Sequence, residues 1–247
     1  MRKVIYLLLL FLPILGCENG DKLTFEPIHL TNEVCEGCPK IEIAIPKALD
    51  ETIISNKINT ALEEEIILLL SFDEEQEITS INDAIISFTK SFKELKSKFP
   101  DETVGWEASV ESDISYEDND MLTLEFNAYT FTGGAHGYGS TSFLNFDKRK
   151  AVELENWELF DDLEGFLKFA EIKFRIQEDI PQDVNINATG FMFERDAFHL
   201  SENIGYTAKG IALIYNQYEV ASYADGPINL TLPYAEVNKY LKRKIKL

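Results

Sequence analysis

The first hundred residues change from a strand pattern to a helix pattern. Residues 25–45 alternate hydrophobic and polar positions and predict two strands with a turn between them. Residues 50–71 and 80–100 place apolar side chains three and four positions apart, as amphipathic helices do. We therefore predict two strands followed by two helices, with Pro46 ending the second strand and Asp50 capping the first helix.

Strand patterns return in the remainder of the chain and are interrupted by further helices. Strands are predicted near 106–110, 121–128, 142–146, 197–202, 209–216 and 227–232, and helices over about 157–178 and 234–244. Runs of strands broken by paired helices, without regular βαβ alternation, indicate an α+β fold with mostly antiparallel sheets. We predict two intimately packed subdomains, at 25–125 and 126–247.

The first sixteen residues have the pattern of an export signal. A basic dipeptide precedes an apolar run that is shorter than the roughly 20 residues of a spanning helix, and the run ends at Gly16-Cys17. A cysteine at this place resembles the lipobox of bacterial lipoproteins, in which the thiol is acylated; an ordinary cleaved signal is the alternative. We predict a lipoprotein signal peptide at 1–16, lipidation of Cys17 and a tether at 17–24. The protein would then be held on the membrane of the bacterial cell envelope, facing the periplasm or the exterior.

The charge balance is strongly acidic. The chain has 43 acidic and 23 basic residues, a formal net charge of −20, and the leader contains two of the basic residues and no acid. Such a surface repels nucleic acid and favours a cationic partner, although solubility alone also favours acidity. We therefore predict no nucleic-acid partner.

Cys35 and Cys38 are the only cysteines besides Cys17. Their spacing is that of redox and zinc motifs, but a strand pattern follows them where a redox motif would open a helix. A zinc site needs four ligands, and the sequence has no second cysteine pair. We predict a local structural disulfide, with a redox pair as the alternative.

Three segments resemble a known family. They are Tyr-Thr-Phe-Thr-Gly-Gly-Ala-His-Gly at 129–137 with Phe-Leu-Asn-Phe-Asp at 143–147, the acidic and apolar stretch at 153–160, and Tyr-Asn-Gln-Tyr-Glu-Val-Ala-Ser-Tyr-Ala-Asp-Gly-Pro at 215–227. They are similar to the extracellular module shared by RsiV-type anti-sigma factors and the non-catalytic part of PdaC-type peptidoglycan deacetylases. The resemblance implies a fold, an envelope location and a binding role. In RsiV-type proteins the module binds lysozyme, a strongly basic protein.

The glycine-rich segment and a group of tyrosines supply the candidate ligand-binding residues. Glycines permit backbone angles at which amides can face a ligand, and tyrosines can stack on sugars or anchor a protein interface. Structural roles, a fixed hydrogen bond for the histidine and a place at the core edge for the tyrosines, are the interpretation that the sequence favours, and ligand contact is the alternative. The candidates are Gly133, Gly134, His136, Gly137, Tyr215, Tyr218 and Tyr223.

The histidines do not form a metal motif. His29 and His199, the two besides His136, lie at no paired ligand spacing, and the acidic runs do not match a calcium loop. We predict no metal, no cofactor and no catalytic residue. The favoured function is a lipid-anchored, non-enzymatic envelope protein that binds a cationic protein such as lysozyme or a peptidoglycan glycan. The alternatives are an envelope polysaccharide hydrolase that uses His136 and a purely structural periplasmic scaffold.

Overall fold

A computed structural model describes residues 22–32, 35, 37–72, 77–101 and 104–246 of the chain. In this part of the chain, nine strands form two sheets. The strands are β1 (Phe25–Thr31), β2 (Lys40–Ala48), β3 (Glu107–Glu117), β4 (Met121–Phe131), β5 (Tyr138–Asp147), β6 (Val152–Leu154), β7 (Asn203–Tyr206), β8 (Gly210–Tyr215) and β9 (Ile228–Pro233). The α-helices are α1 (Ile53–Leu70), α2 (Ile81–Lys98), α3 (Leu163–Gln177) and α4 (Tyr234–Val237), and short 3₁₀ helices occupy Asn156–Leu159, Glu194–Asp196 and Tyr223–Asp225.

The first sheet contains six strands in the order β1-β2-β3-β4-β5-β6. All its neighbours are antiparallel except β2 and β3, which run parallel. Parallel neighbours need a long crossover, and the predicted helix pair α1–α2 supplies it. The helices bury their apolar faces against the sheet in a core that includes Ile41, Ile43, Ile58, Leu62, Phe88, Leu124 and Phe126.

The second sheet, β7-β8-β9, is wholly antiparallel. With α3 it encloses a second core that includes Phe166, Phe174, Ile204, Leu213, Tyr215 and Leu230. Neighbouring residues of β4 enter different cores, because side chains alternate along a strand: Met121 lies in the second core and Leu122 in the first. The predicted α+β class, with two packed subdomains and mostly antiparallel sheets, is confirmed.

A buried polar link joins the two sheets. Thr123 Oγ1 donates to Asn145 Oδ1 at 2.9 Å, and Asn145 Nδ2 donates to the carbonyl of Ile204 in β7 at 2.8 Å. The subdomain boundary that we predicted between residues 125 and 126 falls inside β4, because the first sheet continues to β6. The glycine-rich segment therefore connects two strands of the first sheet instead of belonging to the second subdomain.

Several predicted element ends differ from the structure near the start of the chain. Pro46 does not end β2, which continues to Ala48. Ala44 is the last β2 residue that pairs with β3. Pro46 lies beyond this pairing, where a residue without a backbone N–H is tolerated, as on an edge strand. The cap of α1 is Thr52, whose side chain accepts from the N–H of residue 55. Asp50 instead accepts from the N–H of Thr24 at 2.7 Å.

The C-terminal half also differs in detail. The predicted helix over 157–178 is a 3₁₀ turn followed by α3, which starts at a new cap, Asp162. The predicted strand at 197–202 lies a few residues later, as β7, and the predicted helix over 234–244 is only the single turn of α4. The segment after α4 pairs back onto the rest of the subdomain, through a bridge between Phe160 and Leu241. In the described ranges, no helix has the length and apolar character needed to cross a bilayer.

Candidate functional site

Three of the predicted ligand-binding residues meet at the protein surface. The ring of His136 stacks on that of Tyr223 with centroids 3.7 Å apart and an interplanar angle of 18°. Tyr218 lies beside the stack, with its centroid 5.6 Å from that of Tyr223. We call His136, Tyr218 and Tyr223 the aromatic cluster.

Hydrogen bonds fix the orientation of the His136 ring. Nδ1 lies 3.2 Å from the carbonyl oxygen of Gly137, and Nε2 lies 3.3 Å from the hydroxyl of Tyr218. The tautomer with its proton on Nδ1 satisfies both contacts, since Nδ1 then donates to the carbonyl and Nε2 accepts from the hydroxyl. The hydroxyl of Tyr223 donates to the same carbonyl at 3.3 Å. Both ring nitrogens therefore have partners within the cluster and its loop.

The glycine-rich segment plays two different structural roles. Gly133 and Gly134 have φ of +108° and +91°, values that favour glycine, and they form the connection from β4 to β5. Gly137 is needed for close packing, because a β-carbon at this position would overlap the phenol ring of Tyr129. Tyr129 on β4 thus extends the aromatic cluster toward the first sheet.

The loop that carries the two tyrosines is pinned at both ends. The side chain of Asn216 accepts from the N–H of Thr141 at 2.8 Å and donates to its carbonyl at 3.1 Å, so it pairs with β5 as a strand would. At the other end, Ser222 and Asp225 exchange side-chain and backbone hydrogen bonds in a capping box. Between them Tyr218 adopts φ of +70° and is 56% exposed.

Tyr215 does not belong to this site. It is fully buried in the second core, and its hydroxyl donates to the carbonyl of His199 at 2.7 Å. Tyr234 is also buried, and its hydroxyl donates to the carbonyl of Thr207 at 2.7 Å. The structure thus gives Tyr215 the core-edge role that the sequence favoured, and Tyr234 has a similar place.

A surface that sequence reasoning did not identify lies next to the aromatic cluster. The second subdomain covers one end of the outer face of the first sheet, which is the face opposite to α1 and α2. The other end of this face is open and forms a groove of about 600 Å³. Strand register places the outward residues of this end in two rows. The rows are Thr31, Glu42, Ser109 and Tyr129, and then His29, Ala44, Glu111 and Asn127; together we call them the open sheet face.

The open sheet face carries acidic side chains. Glu42 lies 3.2 Å from the ammonium of Lys40, whereas the Glu111 carboxylate has no basic partner among the described residues. Glu219, next in sequence to Tyr218, accepts from the side chain of Asn203 at 3.0 Å. Partial burial, and then the negative charge of Glu219, raise the pKa of the exposed Tyr138. Negative charge thus lies on both sides of the aromatic cluster.

The remaining predicted site residues are the three cysteines. Cys35 and Cys38 are joined by a disulfide across a turn, with their Cα atoms 5.3 Å apart. Cys17, the signal peptide and most of the predicted tether lie outside the described residues. Within the described part of the chain, no three acidic, histidine or cysteine side chains lie close enough together to hold a metal ion.

Alternation along β4 was the sequence signal that could have revealed this face. It places Glu125, Asn127 and Tyr129 opposite to the buried Phe126 and Ala128. The sequence did not show which of these outward positions the second subdomain would cover.

Two family models match separate regions of the chain, and each region contributes residues to the aromatic cluster. Residues 31–138, which include His136, match the family described as deacetylase PdaC. Residues 158–235, which include Tyr218 and Tyr223, match a family described as a protein of unknown function, DUF3298. The cluster is therefore built from both regions. A search among curated proteins finds no match.

Two crystal structures have a similar fold. A DUF3298 family member from Bacteroides fragilis superimposes with a TM-score of 0.70 at 18% identity, covering 92% of this chain and 96% of that one. A DUF3298 family protein from Pseudomonas aeruginosa gives a TM-score of 0.65 at 21% identity, covering 91% and 97%. PdaC-type domains are generally extracellular or associated with the cell envelope. The family resemblance seen in the sequence is thereby confirmed: residues 31–138 match the PdaC family model, residues 158–235 match the DUF3298 model, and the fold is similar to that of these two DUF3298 proteins.

Proposed function

We propose that the protein is a lipid-anchored, non-enzymatic binding module of the bacterial cell envelope, whose ligand docks on the open sheet face beside the aromatic cluster. The observation that carries this proposal is the position of an open, acidic sheet face next to an aromatic cluster in which His136 and Tyr218 are exposed and Tyr223 is half-buried. Aromatic residues are enriched among the residues that dominate binding energy, and complementary charge accelerates association.

The segment after Cys17 is short, so a lipid on this residue would lie close to the folded module. From Cys17 to Leu23 the chain can span only about 20 Å even when fully extended. At Leu23 it is already fixed, since its N–H donates to the carboxylate of Glu117 at 3.0 Å. An acylated Cys17 would therefore hold the module close to the membrane surface.

A cationic protein such as lysozyme is the first candidate ligand. The chain has a net charge of −20, and Glu42 and Glu111 stand side by side in neighbouring rows of the open sheet face. Complementary charge accelerates association and selects against acidic partners. A peptidoglycan glycan is the second candidate, because the stacked rings of His136 and Tyr223 offer a flat surface on which a sugar can lie.

The contacts of His136 support a binding role over a catalytic one. Its two ring nitrogens are engaged by a backbone carbonyl and a tyrosine hydroxyl, and its ring face is stacked on Tyr223. A general base must instead present a nitrogen to its substrate. If the alternative hydrolase function held, His136→Ala would abolish turnover of envelope polysaccharide.

Retention of two ligands tests the binding function. The exported Cys17→Ser protein would be immobilised and exposed to lysozyme and to purified peptidoglycan at low salt and near 1 M salt, where charges are screened within about 3 Å. We expect salt-sensitive retention of lysozyme, weakened several-fold in the double variant Glu42→Gln/Glu111→Gln. The control variant Asp101→Asn/Asp183→Asn changes the net charge equally at exposed positions after α2 and α3. Retention of neither ligand would overturn the proposal.

Membrane fractionation tests the anchor separately. The wild-type protein is expected in the membrane fraction, and Cys17→Ser placed behind an ordinary cleavable signal peptide is expected in the soluble fraction of the same cells. A Cys17→Ser protein that stays in the membrane fraction would contradict lipidation as the anchor.

A further inference from the structure

We propose that the open sheet face and the aromatic cluster together bind an oligosaccharide of amino sugars that carry free ammonium groups. This inference rests on the proposed function, since it specifies the ligand of the same site. Its basis is that one continuous surface combines flat aromatic rings with carboxylates, and a de-acetylated amino sugar has the matching combination of a ring face and a positive charge.

The aromatic cluster supplies the surface for the sugar ring. The His136 and Tyr223 rings are within 18° of parallel, and their orientation is fixed by the hydrogen bonds to the Gly137 carbonyl. Tyr218, 56% exposed, borders the stack at 5.6 Å from Tyr223. Because these rings are held in place before the ligand arrives, little side-chain entropy is lost on binding.

Tyr129 makes the aromatic cluster continuous with the acidic rows. Its ring packs on Gly137, and its own strand position pairs with Ser109, which in turn pairs with Glu42. Strands lie about 4.8 Å apart, so the Glu42 position is about two strand spacings from Tyr129. Glu111 is closer still, as it stands one strand away and one outward position along. An oligosaccharide that starts on the cluster would therefore reach both carboxylates.

The floor of the groove is suited to a narrow chain. Ala44 and Ser109 have small side chains and lie between the larger residues of the two rows. The groove of about 600 Å³ lies within the range of roughly 300–1,000 Å³ typical of small-molecule sites.

Charge distinguishes free amino sugars from acetylated ones. An ammonium can donate charge-assisted hydrogen bonds to Glu111, whose carboxylate has no basic partner among the described residues. An acetamide group is neutral and would shield that carboxylate from water without compensating its charge. The site should therefore prefer the de-acetylated form.

Calorimetric titration with two defined sugars tests the preference. The probes are the β-1,4-linked glucosamine hexasaccharide and its fully N-acetylated counterpart, titrated at pH 5.5 and low salt into the full-length Cys17→Ser protein. We expect at least tenfold tighter binding of the glucosamine hexasaccharide. Equal affinity for the two sugars, or preference for the acetylated one, would overturn the inference.

Variants separate ring stacking from simple charge attraction. Tyr223→Ala is expected to weaken glucosamine hexasaccharide binding at least fivefold, and Tyr223→Phe, which keeps the ring, is expected to restore it. Glu111→Gln should also weaken it at least fivefold, while Asp183→Asn should leave it unchanged. Thermal unfolding of each variant confirms that it folds. If Tyr223→Ala binds as the wild type does, or if a lysine hexapeptide binds as tightly as the sugar, the inference is wrong.

The binding function and this inference can fail separately. Retention of lysozyme or peptidoglycan without binding of the glucosamine hexasaccharide would overturn the inference and keep the proposed function. Loss of all three would overturn both.

Discussion

Gly205 of β7 lies directly against the ring of Phe143 of β5, so that at this point the β7 backbone itself contacts a side chain of the first sheet. A β-carbon at residue 205 would overlap this ring. The link from Asn145 to the carbonyl of Ile204 crosses the interface at the neighbouring residue. This close contact sets how far the second subdomain extends over the first sheet, and so where the open sheet face begins.

Gly205→Ala is expected to lower the free energy of unfolding by about 1–3 kcal/mol, since extra volume must be accommodated in a packed interface. Gly139→Ala in β5 is the control, because a β-carbon there meets only the carbonyl of Ala128 at 3.9 Å. Urea unfolding of the three proteins measures the difference. A Gly205→Ala protein as stable as the wild type would mean that the sheets are not in close contact here.

Tyr206 and Tyr215 are both fully buried tyrosines but differ at the hydroxyl. That of Tyr215 donates to the His199 carbonyl, whereas that of Tyr206 has no hydrogen-bond partner among the described residues. Tyr215→Phe should therefore lower the free energy of unfolding by about 1 kcal/mol, and Tyr206→Phe should leave it unchanged or raise it. Equal losses in the two variants, compared by thermal unfolding, would argue against this difference.

Asp147 is expected to stabilise the protein above acidic pH. Burial opposes its ionisation, but the hydrogen bond from Arg243 at 2.7 Å and two backbone N–H donors outweigh this effect and lower the pKa of the Asp147 carboxyl. A lowered pKa gives stability that is present above the ordinary value of about 4 and is lost as the pH falls through the folded-state value.

Asp147→Asn should accordingly lower the free energy of unfolding by about 1.5–3 kcal/mol at pH 7, the range for a hydrogen bond to a charged group. The wild type and the variant should converge at the lowest pH at which both fold. Urea unfolding between pH 2.5 and 7 measures this, with Asp183→Asn as control. A difference that is the same at every pH would show that the charge of Asp147 is not its cause.

Glu65 on α1 should have the opposite effect on stability. Burial, and then the charge of Glu64, raise the pKa of Glu65. Burial, and then the charge of Glu65, raise the pKa of Glu153 in β6. A raised carboxyl pKa means that the folded state is favoured below the ordinary value of about 4.3 and loses stability as the pH rises through the folded-state value. Glu65→Gln should therefore stabilise the protein at pH 7 and give no gain below pH 4. Calorimetric melting temperatures at pH 4 and 7 measure this, and a lower melting temperature for the variant at pH 7 would contradict it.

The sequence predicted the local elements well where a pattern was long and regular. Periodicity located α1 and α2, and Ser80, directly before the apolar run of the second helix, caps α2 in the structure. It was wrong at 234–244, where a helix-like run forms only the four residues of α4. Instead, the N–H of Asp161 donates to the carbonyl of Tyr240, and the N–H of Lys242 donates to the carbonyl of Leu159. These tertiary contacts outweigh the helical preference of the segment.

The candidate site was predictable only in part for a similar reason. The motif around His136 and the motif around Tyr218 each identified true surface residues, but Tyr215 belongs to the same motif and is buried. A strand that ends at Tyr215 and a loop that begins at Asn216 separate the two tyrosines in environment, although they are three residues apart.

By itself the sequence determined the export leader pattern, the acidic surface, the α+β class and the helix pair, because these depend on composition and on periodicity within short segments. Only the tertiary structure decided that His136 stacks on Tyr223, which lies 87 residues later, and that one end of the first sheet stays open. Alternation along β4 shows that Met121 and Tyr129 share a face, but not that Met121 is covered and Tyr129 exposed. That depends on where the second sheet docks, and its position is set by non-local contacts such as Gly205 on Phe143, which no local pattern encodes.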